Sequence, residues 1–237
     1  MPYTKRSDGR AFDEVRKIEA KVGVIEKADG SAYFAFGDTK AIAAVYGPRT
    51  LYPQHLQDPT KGLLRCKYDM LSFSVGERKR PGPSRRSIEI SLVTEKALRP
   101  VLLLKKFPNS VVDVFIMIIE ANAGTRTAGI NAAALALAHA GVPMTDLVSS
   151  VSVGKIGDKI CVDLIKEEED YEEKGEKAAT DIPITIIPRT SQISLLQLDG
   201  NLSKEELKEA IQAGTKACKK IYEEQKKALK ELHKGWN

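Results

Sequence analysis

At 237 residues, with 42% hydrophobic and 29% charged residues, the chain is long enough to bury an ordinary core and too polar for a membrane protein. No segment reaches the roughly 20 apolar residues of a transmembrane helix, and the start, Met1-Pro2-Tyr3-Thr4-Lys5-Arg6, has no apolar h-region, which predicts a cytoplasmic protein. Cys66, Cys161 and Cys218 are odd in number and lack metal-ligand spacing, so they predict buried free thiols, and the net charge of +5 is modest but clustered, as a polyanion partner requires.

Residues 1–17 read as an extended arm carrying Arg6, Arg10 and Arg16. Ile18 to Glu26, Ser31 to Gly37 and Ala41 to Gly47 are short apolar runs parted by Ala-Asp-Gly and Gly-Asp-Thr turns, an antiparallel meander. Pro48 to Gly62 is irregular, and strand character returns from Arg65 to Val75. A polar loop, Gly76 to Pro83, leads to Ser84, a plausible N-cap for a helix turning Ile88, Leu92, Ala97 and Leu98 inward until Pro100 breaks it.

The central stretch is Val111 to Gly141. Its β-branched run to Ile119 predicts a buried strand, and the Ala- and Leu-rich segment after Gly124-Thr125-Arg126 predicts a buried helix stopped by Gly141 and Pro143. A strand entering a helix through Gly-Thr-Arg aims free N–H groups, a hydroxyl and a guanidinium at one spot, which makes an anion site. The alternative is that Thr125 merely caps the helix and Arg126 runs to solvent.

Further on, Ser149 to Val153 and Lys159 to Ile165 flank a Gly-containing hairpin turn, and an acidic run occupies Lys166 to Asp181. Ile182 to Pro188 and Gln192 to Leu198 read as strands, and Ser203 with Glu206 forms a capping box for a helix ending near Leu232. The sum is an α+β, or mixed α/β, chain of one domain spanning 1–237, with sheets covered by helices around a buried central one.

Motifs exclude several chemistries. There is no Gly-x-Ser-x-Gly, no nucleotide-binding Gly-x-x-x-x-Gly-Lys-[Ser/Thr], and His139, late in an apolar helix, reads as a packed core residue. What remains is cations and carboxylates. Arg85 and Arg86 follow Ser84 in the first turn of a helix, Arg65 and Lys67 share a strand face, and Arg78 to Arg80 extend the patch; a solvated basic surface would look the same. Glu167 to Asp170 and Asp181 can hold a divalent ion or supply a proton, whereas Glu172 to Glu176 read as a solvated acidic loop.

Arg65-Cys66-Lys67-Tyr68, Pro83-Ser84-Arg85-Arg86, Asn122-Ala123-Gly124-Thr125-Arg126 and an acidic stretch closing on Asp181-Ile182-Pro183 resemble, in order, the motifs of the ribonuclease PH superfamily. The resemblance runs from Arg6-Ser7-Asp8-Gly9-Arg10 to the C-terminal helix and is nearest to the catalytic subunits of archaeal exosomes. It implies a ribonuclease-PH-like fold and 3′-to-5′ phosphorolysis of RNA, with inorganic phosphate as co-substrate, nucleoside diphosphate as product and magnesium as cofactor. It also implies a hexameric ring shared with a related inactive subunit, and RNA-binding caps. By position, Gly124, Thr125, Arg126 and Arg86 would bind phosphate, while Arg65, Lys67, Arg85 and Arg86 would hold RNA. Asp170 would be the acid, and Asp181 its neighbour and candidate magnesium ligand. Two departures stand out: Asn122 replaces an Asp common in relatives, and the Asp170 to Asp181 segment is longer than expected. A non-catalytic ring subunit would need the cations but neither Asp; a metal-dependent hydrolase would need no phosphate pocket.

Overall fold

The computed structural model describes residues 3–173, 176–177 and 179–233, apart from the side chains of 172–177 and 233. Strands β1 (Ile18–Val22), β2 (Gly30–Phe36) and β3 (Thr39–Thr50) form the expected meander. It continues through β5 (Ser110–Glu120) to β4 (Leu63–Met70), in the order β1-β2-β3-β5-β4. The second sheet has the order β11-β10-β6-β7, from β6 (Ser149–Ile156), β7 (Lys159–Val162), β10 (Ile182–Ile187) and β11 (Gln192–Leu196).

Helix α2 (Thr125–His139) lies between the sheets. It is built of small and apolar residues almost all round because both flanks are covered, and Ala128, Ile130 and Ala132 to Leu137 have no exposed surface. At Gly30 of β2 any side chain would collide with the α2 backbone, since a Cβ would stand 2.4 Å from the Ala136 carbonyl oxygen. One hydrophobic cluster thus joins Val114 and Ile116 of the first sheet to Val151 and Ile184 of the second. Helix α4 (Lys204–His233), opened by the Ser203–Glu206 capping box, covers the second sheet and reaches β1.

Several expectations need correction. Helix α1 (Arg85–Leu98) does start at the Ser84 cap, reciprocated by Ser87. It buries Ser87, Ile90, Thr94, Ala97 and Leu98, however, leaving Ile88 62% and Leu92 51% exposed. The buried stripe runs at 87, 90, 94 and 97, so hydroxyls take inward positions and the apolar pair at 88 and 92 belongs to the next row round the helix. Strand β3 runs past Pro48, with a register shift between Tyr46 and Arg49 that absorbs the missing donor. Strand β4 ends at Met70 and pairs with β5 in parallel, α1 supplying the crossover. The first acidic residues form a one-turn helix α3 (Lys166–Glu169), and the acidic loop contains a short pair, β8 (Glu172–Glu173) with β9 (Glu176–Lys177). The side chains of Glu172, Glu173 and Glu176 lie outside the described residues. All three cysteines are buried free thiols, and His139 accepts a hydrogen bond at Nδ1 from the Ser31 N–H, 3.0 Å.

Candidate active site

The turn between β5 and α2 is built for backbone exposure. Ala123 and Gly124 both adopt left-handed conformations, φ 58° and 63°, and Gly124 occupies the N-cap without a side-chain cap bond, so the first N–H groups of α2 keep their donors. Thr125 is buried at the first helical position and does not cap; the Thr127 hydroxyl donates to the Gly124 carbonyl instead, 2.8 Å.

Arg126 does not run to solvent. Its side chain is 20% exposed and spans to α1 and the end of β11, where it donates to Gln197 Oε1 and sits 3.3 Å from Glu89 Oε2. Gln197 Nε2 donates to Glu89 Oε1, 3.0 Å, closing a three-member network. Glu89 and Gln197 carry no local sequence signal; only the packing of α1 against β11 brings them here.

Arg86, exposed in the first turn of α1, lines a small cavity with Lys166, Glu169, Asp170, Asp181 and Asp199. Arg85 is exposed beside it on the helix but does not line this cavity. Asp181 and Asp199 exchange both backbone hydrogen bonds, 3.0 and 2.9 Å, so their side chains emerge on one face. Ser152 Oγ donates to Asp181 Oδ1. Asp170 closes α3 and is 59% exposed, with the Lys166 ammonium 2.7 Å away. Sequence reasoning missed Lys166 and Asp199: the first reads as part of a charge run, and the second belongs to no motif.

Tyr68 links the two halves. Its buried hydroxyl faces the Thr125 side chain without a hydrogen bond of full geometry. Burial pushes the phenol up to about 12, while Thr125 and the charges of Arg86 and Arg126 pull the other way.

Arg65 and Lys67 stand apart on the exposed face of β4. Arg65 is held by Asp113 of β5 in a bidentate pair, 2.5 and 2.9 Å, and Lys67 Nζ lies over the Phe115 ring, 5.6 Å from its centroid. Lys79 is paired with Asp69 at 2.8 Å. Glu168, one of the carboxylates assigned to the acidic site, turns away from it: it is buried and takes Arg6 Nη2 and Nε at 2.7 and 2.9 Å.

A guanidinium, that of Arg86, sharing a cavity with carboxylates is the pairing of groups that displacement at phosphorus requires. The chain belongs to the 3′ exoribonuclease family: the RNase PH domain 1 model matches residues 14–143 and the domain 2 model residues 146–217, the two meeting between α2 and β6.

Among the proteins it resembles is the exosome complex component Rrp41 of Thermococcus gammatolerans, 53% identical over 97% of this chain and 90% of the relative. The Rrp41 of Nitrosopumilus maritimus is 48% identical over 98% and 92%, and that of Methanopyrus kandleri 45% over 97% and 94%. In fold, the chain is similar to rice Rrp46, TM-score 0.84 at 22% identity over 95% of this chain and 100% of that one. The Archaeoglobus fulgidus exosome with RNA bound to the active site gives a TM-score of 0.78 at 26% identity over 92% of both chains.

Proposed function

We propose that the chain is the catalytic subunit of an exosome-type RNA-degrading complex, a 3′-to-5′ exoribonuclease that uses inorganic phosphate. The observation that carries this reading is the meeting of Arg86 with Asp170 and Asp181 in one cavity. A scaffold subunit would need the cations alone.

Phosphate and an RNA diester are both anionic, so their approach must be neutralised by fixed donors. The free N–H groups of Gly124 and its neighbours, the Thr125 hydroxyl and the guanidiniums of Arg86 and Arg126 supply these. A phosphate oxygen attacks the terminal phosphorus, the bond to the 3′ oxygen of the preceding nucleotide breaks, and a nucleoside diphosphate leaves. The departing 3′ oxygen takes up a proton, a step assigned to Asp170 with Asp181 beside it. Magnesium is commonly held by one or two carboxylates together with substrate phosphates. The donor set on this rim, Asp181 with Asp199 presented on the same face, suits it. Bound there by Asp181, the ion would supply positive charge to the departing oxygen.

Arg65, Lys67 and Arg85 serve the RNA upstream of the scissile bond. We further propose that the chain works as one ribonuclease-PH-like domain, in the cytoplasm, in a hexameric ring with a related inactive subunit and RNA-binding caps. The joining of both sheets through α2 favours a single working unit. No helix among the described residues is long and apolar enough to cross a membrane.

The test is to add or withhold inorganic phosphate and identify the product. Phosphate-dependent release of nucleoside diphosphates is expected; phosphate-independent release of monophosphates would refute the reading.

A further inference from the structure

The left-handed turn at Asn122 to Gly124 needs restraint, because a residue with a Cβ, here Ala123, is disfavoured at φ 58°. The restraint comes from the N-terminal arm, far away in sequence. Arg16 is buried with Asp163, the residue after β7: its Nη2 lies 2.7 Å from Oδ1, its Nε 2.9 Å from Oδ2, and its own N–H 2.8 Å from Oδ2. The remaining nitrogen, Nη1, donates to the Asn122 carbonyl at 2.5 Å. Thr39 Oγ1 accepts from the Asn122 N–H, 3.0 Å, and lies within donating distance of the Asn122 and Ala123 carbonyls, 2.8 and 2.7 Å. Arg10 adds a second guanidinium, 3.0 Å from the Asp163 carbonyl.

None of these side chains lines the cavity of Arg86, Asp170 and Asp181. A buried ion pair is a poor way to gain stability, since apolar residues of similar volume often do as well, but it is a directional way to fix a carbonyl. The carbonyls fixed here belong to the turn whose following N–H groups open α2.

We propose that Arg16, oriented by Asp163, is a positioning residue for the inorganic phosphate nucleophile. It holds the Asn122 to Gly124 turn so that the N–H groups of α2, Thr125 and Arg126 converge on one anion. This rests on the phosphorolytic reading above.

The experiment uses the full chain in its native assembly, with Arg16→Lys, Arg16→Gln and Thr39→Val compared with the parent. Arg16→Lys keeps a charge for Asp163 but cannot also reach the Asn122 carbonyl, so it should recover thermal stability lost in Arg16→Gln without recovering phosphate use. Thr39→Val leaves the Arg16–Asp163 pair intact but removes the Thr39 bonds to the turn together with the one Thr39 Oγ1 accepts from Arg16 Nη1, 3.3 Å. The KM for phosphate should rise about 10- to 100-fold in the arginine variants, the scale expected of a displaced binding group, and less in Thr39→Val. In the reverse reaction, the KM for nucleoside diphosphate should rise in proportion. RNA affinity measured without phosphate should stay within about twofold, because RNA is held by separate cations. A parental phosphate KM in both Arg16→Lys and Thr39→Val, or an equal loss of RNA affinity and phosphate use, would overturn the proposal. A parent enzyme indifferent to phosphate would instead overturn the functional reading.

Discussion

Reversing the charge at Arg126 separates an anion pocket from a mere helix start. Arg126 is 20% exposed and held by Gln197 and Glu89, and a glutamate there would stand beside Glu89 with the cation gone. Two unit charges about 4 Å apart interact by about 4 kcal/mol at an effective dielectric near 20. Arg126→Glu forfeits the attraction and adds a repulsion, so even halved by screening the change is about 4 kcal/mol, or roughly 10³-fold in kcat/KM. Stability should fall modestly: the lost pair with Glu89 is partly exposed and contributes at most about 1 kcal/mol, and the repulsion that replaces it is screened in the same way. The assay is release of nucleoside diphosphates at varied phosphate, with thermal unfolding and filter binding of RNA as controls. A correctly folded variant that degrades RNA at the parental rate and phosphate KM would refute the pocket.

Asp170→Asn and Asp181→Asn should each bind RNA as well as the parent or better, since a negative charge near the diester is removed, yet lose about 10²-fold or more in single-turnover cleavage. Unchanged cleavage in both would move the acid chemistry to Glu167 or Glu169, Glu168 being committed to Arg6. Glu168 also sets a pH signature: burial pushes its carboxyl up, but hydrogen bonds from Arg6 and the Ile165 N–H and the charge of Arg6 outweigh this and hold it below the usual range. A depressed carboxylate stabilises the fold above its unfolded value and ceases to as pH falls through the folded one. The melting-temperature gap between parent and Glu168→Gln should therefore be full at neutral pH and shrink below about pH 4.3, the ordinary Glu value; a gap that grows on acidification would contradict the pairing. Lys67→Ala should reduce the salt slope of RNA binding by about 0.7, the value for one single-strand phosphate contact, and Arg65→Ala by less, because Asp113 already neutralises Arg65. Equal slopes in parent and both variants would remove β4 from the RNA path.

The legible parts of the chain are those whose signal is local. The β5 to α2 passage could be read because a β-branched run, a Gly turn and an Ala-rich segment lie in direct succession, and the Ser84 and Ser203 caps because a cap needs only its own first turn. In helix α1 apolarity does not track burial: Ile88 and Leu92 are exposed while Ser87 and Thr94 face inward. The parallel pairing of β4 with β5 has no local signature, because it depends on the crossover packing back on the sheet. Arg6 and Arg16 resemble arm cations, and only Asp163 and Glu168, some 150 residues on, explain why they are buried.

Asn122 and the long Asp170 to Asp181 segment also acquire physical sense. Asn122 Oδ1 accepts the Lys166 N–H at 2.9 Å, tying the turn before α2 to the start of the acidic helix. An Asp could accept the same bond, so Asn keeps the acceptor while leaving one less negative charge near a site that must attract a dianion. Within the long Asp170 to Asp181 segment β8 pairs with β9, and Asp170 and Asp181 line one cavity. Added length costs only loop-closure entropy, a weak function of loop size, so the spacing of the two carboxylates is left to α3, which Asp170 closes, and to the sheet that Asp181 adjoins.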